Sequence, residues 1–272
     1  MEPRCALTIA GSDSGGGAGI QADLRTFSAF GVHATTALTA VTAQNTRTVS
    51  AVVPLRPRDV VAQVDAVLED FPIRAVKTGM LAEPGIVLAV AQLAEQNRLA
   101  HLIVDPVLVS STGSLLLADG GIEAYRDALI PQAELITPNL PEAAALAGVD
   151  VRDLRDVASL AAVARALQRL GARAVLVKGG HVTSPGAAVH SPDVLVLADE
   201  VVVLEAERVA TVNDHGTGCS LSAAIAAGLA LDRSLPDAVR DAKAFVLAAL
   251  RGAERWHLGG GHGPIDHFGW GT

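Results

Sequence analysis

Short apolar runs with β character alternate with segments of helical periodicity along nearly the whole chain, and this alternation limits the fold more than any other feature. Residues 6–10, 32–41, 49–53, 75–77, 102–105, 134–136 and 174–178 read as strands. Residues 19–30, 58–69, 84–97, 140–147, 153–170, 217–231 and 236–252 read as helices. Runs 194–197 and 201–204, split by Asp199-Glu200, predict a hairpin. Such a pattern predicts an α/β fold, with a mostly parallel sheet covered by helices on both faces. Ligands of such sheets bind beyond the carboxyl ends of the strands. Those ends carry Gly11, Lys77, Asp105, Asn139 and Lys178. No long linker, repeat or low-complexity tract interrupts the 272 residues, so residues 1–272 are expected to form one domain.

Composition removes several functional classes. Half of the residues are hydrophobic and only 18% are charged, which excludes a disordered chain. The formal net charge of −8 argues against a general binder of nucleic acid or of anionic membranes. Cys5 and Cys219 are too few for a disulfide scaffold or a cysteine-based zinc site. No stretch approaches the ~20 apolar residues of a membrane span, and the first residues show no signal-peptide pattern. A soluble, cytoplasmic protein is expected. Only three of the 21 basic residues are lysines (Lys77, Lys178 and Lys243), which draws attention to their positions.

Three loops hold the candidate chemistry. Asn213-Asp214-His215-Gly216-Thr217-Gly218-Cys219 precedes a helix of small residues. Glycines there let backbone N–H groups converge on an anion, aided by the helix dipole; an ordinary capped helix start is the plainer alternative. Cys219 falls in the first turn, a position that favours a thiolate, although a free cysteine is more often a packing residue. Gly11-Ser12-Asp13-Ser14-Gly15-Gly16-Gly17-Ala18-Gly19 follows the first strand. It matches neither a G-x-x-x-x-G-K-[ST] loop nor a G-x-G-x-x-G fingerprint, and reads as backbone that lies close to a ligand. Asn139-Leu140-Pro141-Glu142 has a spacing suited to a hydrated Mg²⁺ and equally to a capping box. Asp105 is a second strand-end carboxylate, or a turn residue before Pro106. Lys178 and Lys243 could neutralise phosphate, or simply be solvated. His257, His262 and His267, five apart in a Gly-rich tail, match no metal spacing and suggest a surface tail.

Taken in order, these motifs resemble the hydroxymethylpyrimidine and phosphomethylpyrimidine kinase family of thiamine biosynthesis, in the ribokinase-like superfamily. The resemblance runs from Ala6 to about His267. It rests on Ile9–Asp23, Thr42–Thr46, Val76–Leu81, Val104–Val107, Thr137–Glu142, Val177–His181, His215–Cys219 and Gly261–Pro264. It implies a three-layer α/β/α sandwich. It also implies an ATP- and Mg²⁺-dependent kinase that phosphorylates 4-amino-5-hydroxymethyl-2-methylpyrimidine and then its monophosphate, working as a homodimer. By resemblance, Gly11, Asp23, Gln44, Met80, Val107 and Cys219 line the pyrimidine pocket. Asp105, Asn139 and Glu142 hold Mg²⁺ through water, Lys178 and Lys243 face the ATP phosphates, and Gly216, Thr217 and Gly218 cradle the transferring group, with Cys219 as the base. A pyridoxal or pyridoxine kinase and a non-catalytic pyrimidine sensor are the alternatives.

Two departures from the family pattern stand out. Val109-Ser110-Ser111-Thr112-Gly113 has no lysine where many relatives carry one, which bears on the second phosphorylation. Asp214 replaces a frequent Thr and adds negative charge near the anion loop.

Overall fold

The computed structural model describes residues 2–108, 116–180, 191–198 and 200–271. The Val109–Gly113 departure, His181 of the Lys-Gly-Gly-His motif and Asp199 of the hairpin lie outside the described residues.

Nine strands form one sheet: β1 (Cys5–Asp13), β2 (His33–Gln44), β3 (Val49–Pro54), β4 (Ile73–Thr78), β5 (Leu102–Val104), β6 (Leu135–Ile136), β7 (Ala174–Val177), β8 (Asp193–Val196) and β9 (Val201–Leu204). Their order is β3-β2-β1-β4-β5-β6-β7-β8-β9. The central pairs are parallel. Only the edges are antiparallel, where β3 folds back on β2 and the β8–β9 hairpin closes the other side.

Successive side chains on a strand point to opposite faces, and the core divides accordingly. Leu7, Ile9, Val76, Val104, Ile136, Val175 and Val177 face α2 (Pro57–Asp70), α3 (Pro84–Glu95) and α6 (Val157–Gln168). Ala6, Ala75, Ile103, Leu135, Ala174 and Leu176 face the other layer, built from α1 (Gly19–Ala29), α7 (Thr217–Ala230) and α8 (Leu235–Ala253). The result is the expected three-layer α/β/α sandwich. α7 is made almost entirely of small residues and is buried from Ser220 to Ala230, so it packs directly on the sheet with its N-terminus at the carboxyl ends of the strands.

The helical periods fix most elements to within a few residues. The main shortfall is the segment before β6. There a short α4 (Gly121–Ala124), a π turn (Tyr125–Leu129) and a 3₁₀ turn (Ile130–Gln132) follow one another, too brief to show a period. The remaining helix, α5 (Leu140–Ala147), and the start of α6 carry capping boxes. The last three residues of β1 are Gly11-Ser12-Asp13, so the first part of the glycine loop is strand. Among the described residues, no helix is long and apolar enough to cross a membrane.

Candidate active site

Parallel pairing carries the chain past each strand and sets the candidate residues side by side. Gly79 N–H donates to Ile9 O (3.0 Å), Asp105 N–H to Thr78 O (3.0 Å), Thr137 N–H to Val104 O (3.0 Å) and Lys178 N–H to Pro138 O (2.9 Å). These bonds align Gly79, Asp105, Asn139 and Lys178 along one rim, facing the N-terminus of α7.

Lys178 is the centre of the polar half. Its ammonium donates to Asp105 Oδ1 at 3.0 Å. It also lies 3.1 Å from where a β-carbon on Gly218 would stand. The cation therefore sits directly over the first turn of α7, where unpaired N–H groups already favour an anion. The preceding residue, Gly216, has φ +90°, and its backbone runs against the Gly17 carbonyl where any side chain would collide. A left-handed, sterically closed position of this kind is one that glycine alone tolerates.

Asp105 also accepts from Thr137 Oγ1 (3.3 Å) and Ser222 Oγ (3.2 Å). Burial pulls its carboxyl up, but Lys178 and Lys77 outweigh this and hold it below the ordinary carboxylate value. Asn139 and Glu142 form the capping box: Glu142 N–H donates to Asn139 Oδ1 (2.9 Å) and Asn139 N–H to Glu142 Oε2 (2.8 Å). Burial pushes Glu142 up to about 7; Lys178 opposes this and the nearby Asp105 charge adds to it. Two buried carboxyl groups thus share little more than one lysine, a shortfall of positive charge that a hydrated divalent cation fits. Among the described residues, no three His, Cys, Asp or Glu side chains converge as a direct metal cage.

Lys243 bonds a different carboxylate, Asp193, which also takes the N–H of Gly179, the residue after Lys178. It donates to Asp193 Oδ2 (2.6 Å) and to Ser191 O (2.9 Å), while Gly179 N–H donates to Asp193 Oδ1 (2.9 Å). Lys243 lines a groove of about 360 Å³ together with Val202, Leu204, Ala206, Arg240 and Leu247.

The apolar half gathers Gly11, Met80 and Val107. Met80 packs with Val107, Ala40 and Ala82, and its methyl fills the space a Gly11 side chain would need, 2.5 Å from that β-carbon position. Gln44, at the end of β2, accepts from Thr42 Oγ1 (3.2 Å), and its amide nitrogen lies 3.4 Å from His215 Nε2.

Asp23 is placed differently from its expected role. It has no exposed surface. Both of its oxygens take the Lys77 ammonium at 2.9 Å, and Thr8 Oγ1 donates at 2.6 Å. Asp23 therefore stands behind the pocket. Burial works against the charge on Lys77, but Asp23, then Cys219 and Asp105, keep it above the ordinary lysine value.

The expectation of a depressed Cys219 thiol is corrected. Burial pushes it up to about 11; Lys77 and an N–H of Gly19 pull it down, while Asp105 and Asp23 push it further up. The helix end is outweighed by loss of solvent and by two neighbouring carboxylates.

The histidines of the tail do not form a common site. His262 Nδ1 lies 2.7 Å from Asp214 Oδ1. His267 is buried on Ser220 Oγ (2.8 Å), not on the surface, and burial lowers it to about 4. Sequence reasoning passed over Asp13, which gathers the N–H groups of Gly15, Gly17 and Ala18. An Asp two residues before a glycine run is the signal that marks it.

Residues 13–266 match the family model described as phosphomethylpyrimidine kinase. The hydroxymethylpyrimidine/phosphomethylpyrimidine kinase of Rhizobium meliloti (strain 1021) is 48% identical over 97% of this chain and 96% of its own. Among solved structures, the phosphomethylpyrimidine kinase of Clostridium difficile 630 superposes with a TM-score of 0.78 at 39% identity, covering 90% of this chain and 99% of that one. The pyridoxal kinase of Staphylococcus aureus, in complex with AMP-PCP and pyridoxal, reaches 0.86 at 33% identity, covering 98% and 94%. The family-model match over residues 13–266 and the relatives aligned over nearly the whole chain place this chain in the phosphomethylpyrimidine kinase family.

Proposed function

We propose that residues 1–272 act as one kinase domain. It moves the γ-phosphoryl group of ATP onto the hydroxymethyl group of 4-amino-5-hydroxymethyl-2-methylpyrimidine, and then onto the monophosphate to give the diphosphate used in thiamine biosynthesis. The observation that carries this reading is Lys178 standing over the Gly216–Gly218 turn, 3.1 Å from the Gly218 β-carbon position, with the Met80–Val107 surface close by. Relatives of both vitamin-kinase types support ATP as donor, one of them holding an ATP analogue.

Adenine would lie in the groove beside Lys243, and the phosphates would pass Asp193 and Gly179 to reach Lys178. The substrate hydroxyl oxygen attacks the γ-phosphorus, the bond to ADP breaks, and the hydroxyl proton leaves toward solvent, or toward Cys219 in the small fraction that is thiolate. The Gly216 and Gly218 N–H groups and Lys178 take up charge on the transferring oxygens, while the Thr217 N–H is already bonded to Asp214 O (3.2 Å). Asp105, Asn139 and Glu142 would hold Mg²⁺ through water. When bound, the ion supplies neutralisation of phosphate charge. In the second step the attacking group is already an anionic phosphate, so no strong base is required. Gln44 offers one donor and one acceptor to the aminopyrimidine edge, and Met80 and Val107 offer apolar walls. We expect a cytoplasmic homodimer with no nucleic-acid or membrane partner.

Pyridoxal kinase is the second reading, favoured by the likeness to the pyridoxal-bound Staphylococcus aureus enzyme. A competition experiment decides between them: ATP turnover with the pyrimidine alcohol, its monophosphate and pyridoxal, each with and without Mg²⁺, with products identified. Efficient Mg²⁺-dependent mono- and diphosphate formation is expected. Preference for pyridoxal would reassign the substrate, and binding with no turnover would make the chain a sensor.

A further inference from the structure

Asp13 closes β1 with a side chain that is 4% exposed and fully engaged. Its Oδ1 accepts Gly15 N–H (2.8 Å); its Oδ2 accepts Gly17 N–H (3.0 Å), Ala18 N–H (2.8 Å) and the His215 ring at Nε2 (2.9 Å). Burial alone would raise this carboxyl, but His215 and the N–H groups hold it below the ordinary value. It is therefore an ionised acceptor, and His215 contributes the Nε2 proton. His215 belongs to the other glycine loop, 202 residues away. Its backbone N–H donates to Gly263 O (3.0 Å), and its ring covers Gly17 so closely that a β-carbon there would collide with Cδ2. Gly216, next in sequence, abuts the Gly17 carbonyl. Two residues beyond Gly17, Gly19 gives its N–H to the Cys219 thiol.

We propose that Asp13 and His215 are positioning residues for phosphoryl transfer: their buried hydrogen bond sets the spacing between the glycine loop that opens α1 and the Gly216–Gly218 turn that opens α7. The first loop carries Gly11 and the Gly19 contact to Cys219, on the acceptor side. The second cradles the transferring group. The pair acts through these two loops. The inference rests on the kinase reading above. Alignment of acceptor and phosphorus is what such a site supplies, and misplacement by ~1 Å costs on the order of a hundredfold in rate. Misalignment also lets water take the phosphoryl group in place of the vitamin hydroxyl.

The test compares His215→Gln, which keeps a donor near the Nε2 position, with His215→Asn, which is too short to reach Asp13. Readouts are kcat, both KM values, the ratio of ADP formed to pyrimidine phosphorylated, and Tm. His215→Asn is expected to lower kcat about 10–100-fold, change either KM less than about threefold, and raise the ADP ratio above one. His215→Gln is expected to recover most of kcat and restore the ratio. Asp13→Asn combined with His215→Asn should be no slower than the worse single variant, as expected of a unit. Equal kcat in the two His215 variants, or a loss confined to the pyrimidine KM through Gln44, overturns the proposal. Should His215→Asn not fold, His215→Gln against wild type decides: an ADP ratio above one together with a large kcat loss at unchanged Tm overturns it. A wild-type enzyme inactive on the pyrimidine, run first, would sink the substrate reading instead.

Discussion

Lys178 and Gly218 close on each other across the mouth of α7, with 3.1 Å between the ammonium and the β-carbon position of the glycine. An added methyl displaces the end of a flexible side chain and leaves the fold alone. Gly218→Ala is therefore expected to keep its Tm within a few degrees while lowering kcat about tenfold or more, as loss of one charge-stabilising group does. Turnover and calorimetry on the same preparation check this; an unchanged kcat would remove Lys178 from the phosphate path.

Gln44→Ala should weaken pyrimidine binding by about 1–3 kcal/mol, the cost of leaving a buried polar edge unpaired. ATP affinity should be unaffected, because the Lys243 groove lies beyond Asp193 and Gly179, away from β2. Calorimetric titration with each ligand separates the two; equal losses would contradict the assignment.

A thiol raised to about 11 is almost wholly protonated at neutral pH. Each unit of pH below that value multiplies the thiolate fraction about tenfold on going up. Formation of the monophosphate should therefore accelerate between pH 7 and 9, and Cys219→Ala should flatten that rise. Conversion of the monophosphate, whose nucleophile is already ionised, should show neither effect. Timing the two steps separately is the measurement. A flat profile in both would leave Cys219 as a wall of the anion turn.

The Asp23–Lys77 pair has no exposed side-chain surface on either partner. Removing one partner strands a buried charge, so Asp23→Asn or Lys77→Met alone should cost about 3–5 kcal/mol in denaturant unfolding. The double variant should recover a large share of that loss. Additive losses would show that the two side chains act independently.

His267 carries a stability signature in acid. Its ordinary value is 6.5 and burial lowers it to about 4. Between those values the unfolded chain binds a proton that the folded ring refuses. Stability therefore falls as pH drops from 6.5 toward 4, by on the order of 3 kcal/mol in total, and levels off below. His267→Gln can still pair with Ser220 but does not titrate, so its unfolding free energy should lose less over that interval.

Periodicity made the strands, the layers and most helices legible, because burial on one face leaves a trace in every second or every third to fourth residue. The anion turn was legible because glycines and a helix start lie together in sequence. The Asn139–Glu142 spacing allowed a cap or a cation ligand. The structure shows the cap, together with a carboxyl group raised by burial that a cation suits. Partners far apart in sequence left no trace. Lys77 lies 54 residues from Asp23 and Asp13 lies 202 from His215, so the local pattern alone points Asp23 into the pocket and gives Asp13 no role. The raised thiol of Cys219 has a related cause. Its helix position is local, whereas the burial and carboxylates that outweigh it come from β1, β5 and α1.

Thr46, at the tip of the β2–β3 hairpin, accepts N–H groups from Gly260 and Gly261 on its hydroxyl (3.2 Å each) and from His262 on its carbonyl (2.9 Å). A ribosome makes Thr46 more than two hundred residues before those donors, at a pace of about 5–20 residues per second. For ten seconds or longer, Ser14 can already hold Gln44 at the base of the hairpin, while the bonds from the tail to its Thr46 tip are still missing. The tip of the β2–β3 hairpin is thus fastened last, and a nascent chain released before Gly260 would keep the Ser14 contacts to Gln44 but lack the three bonds that close over Thr46.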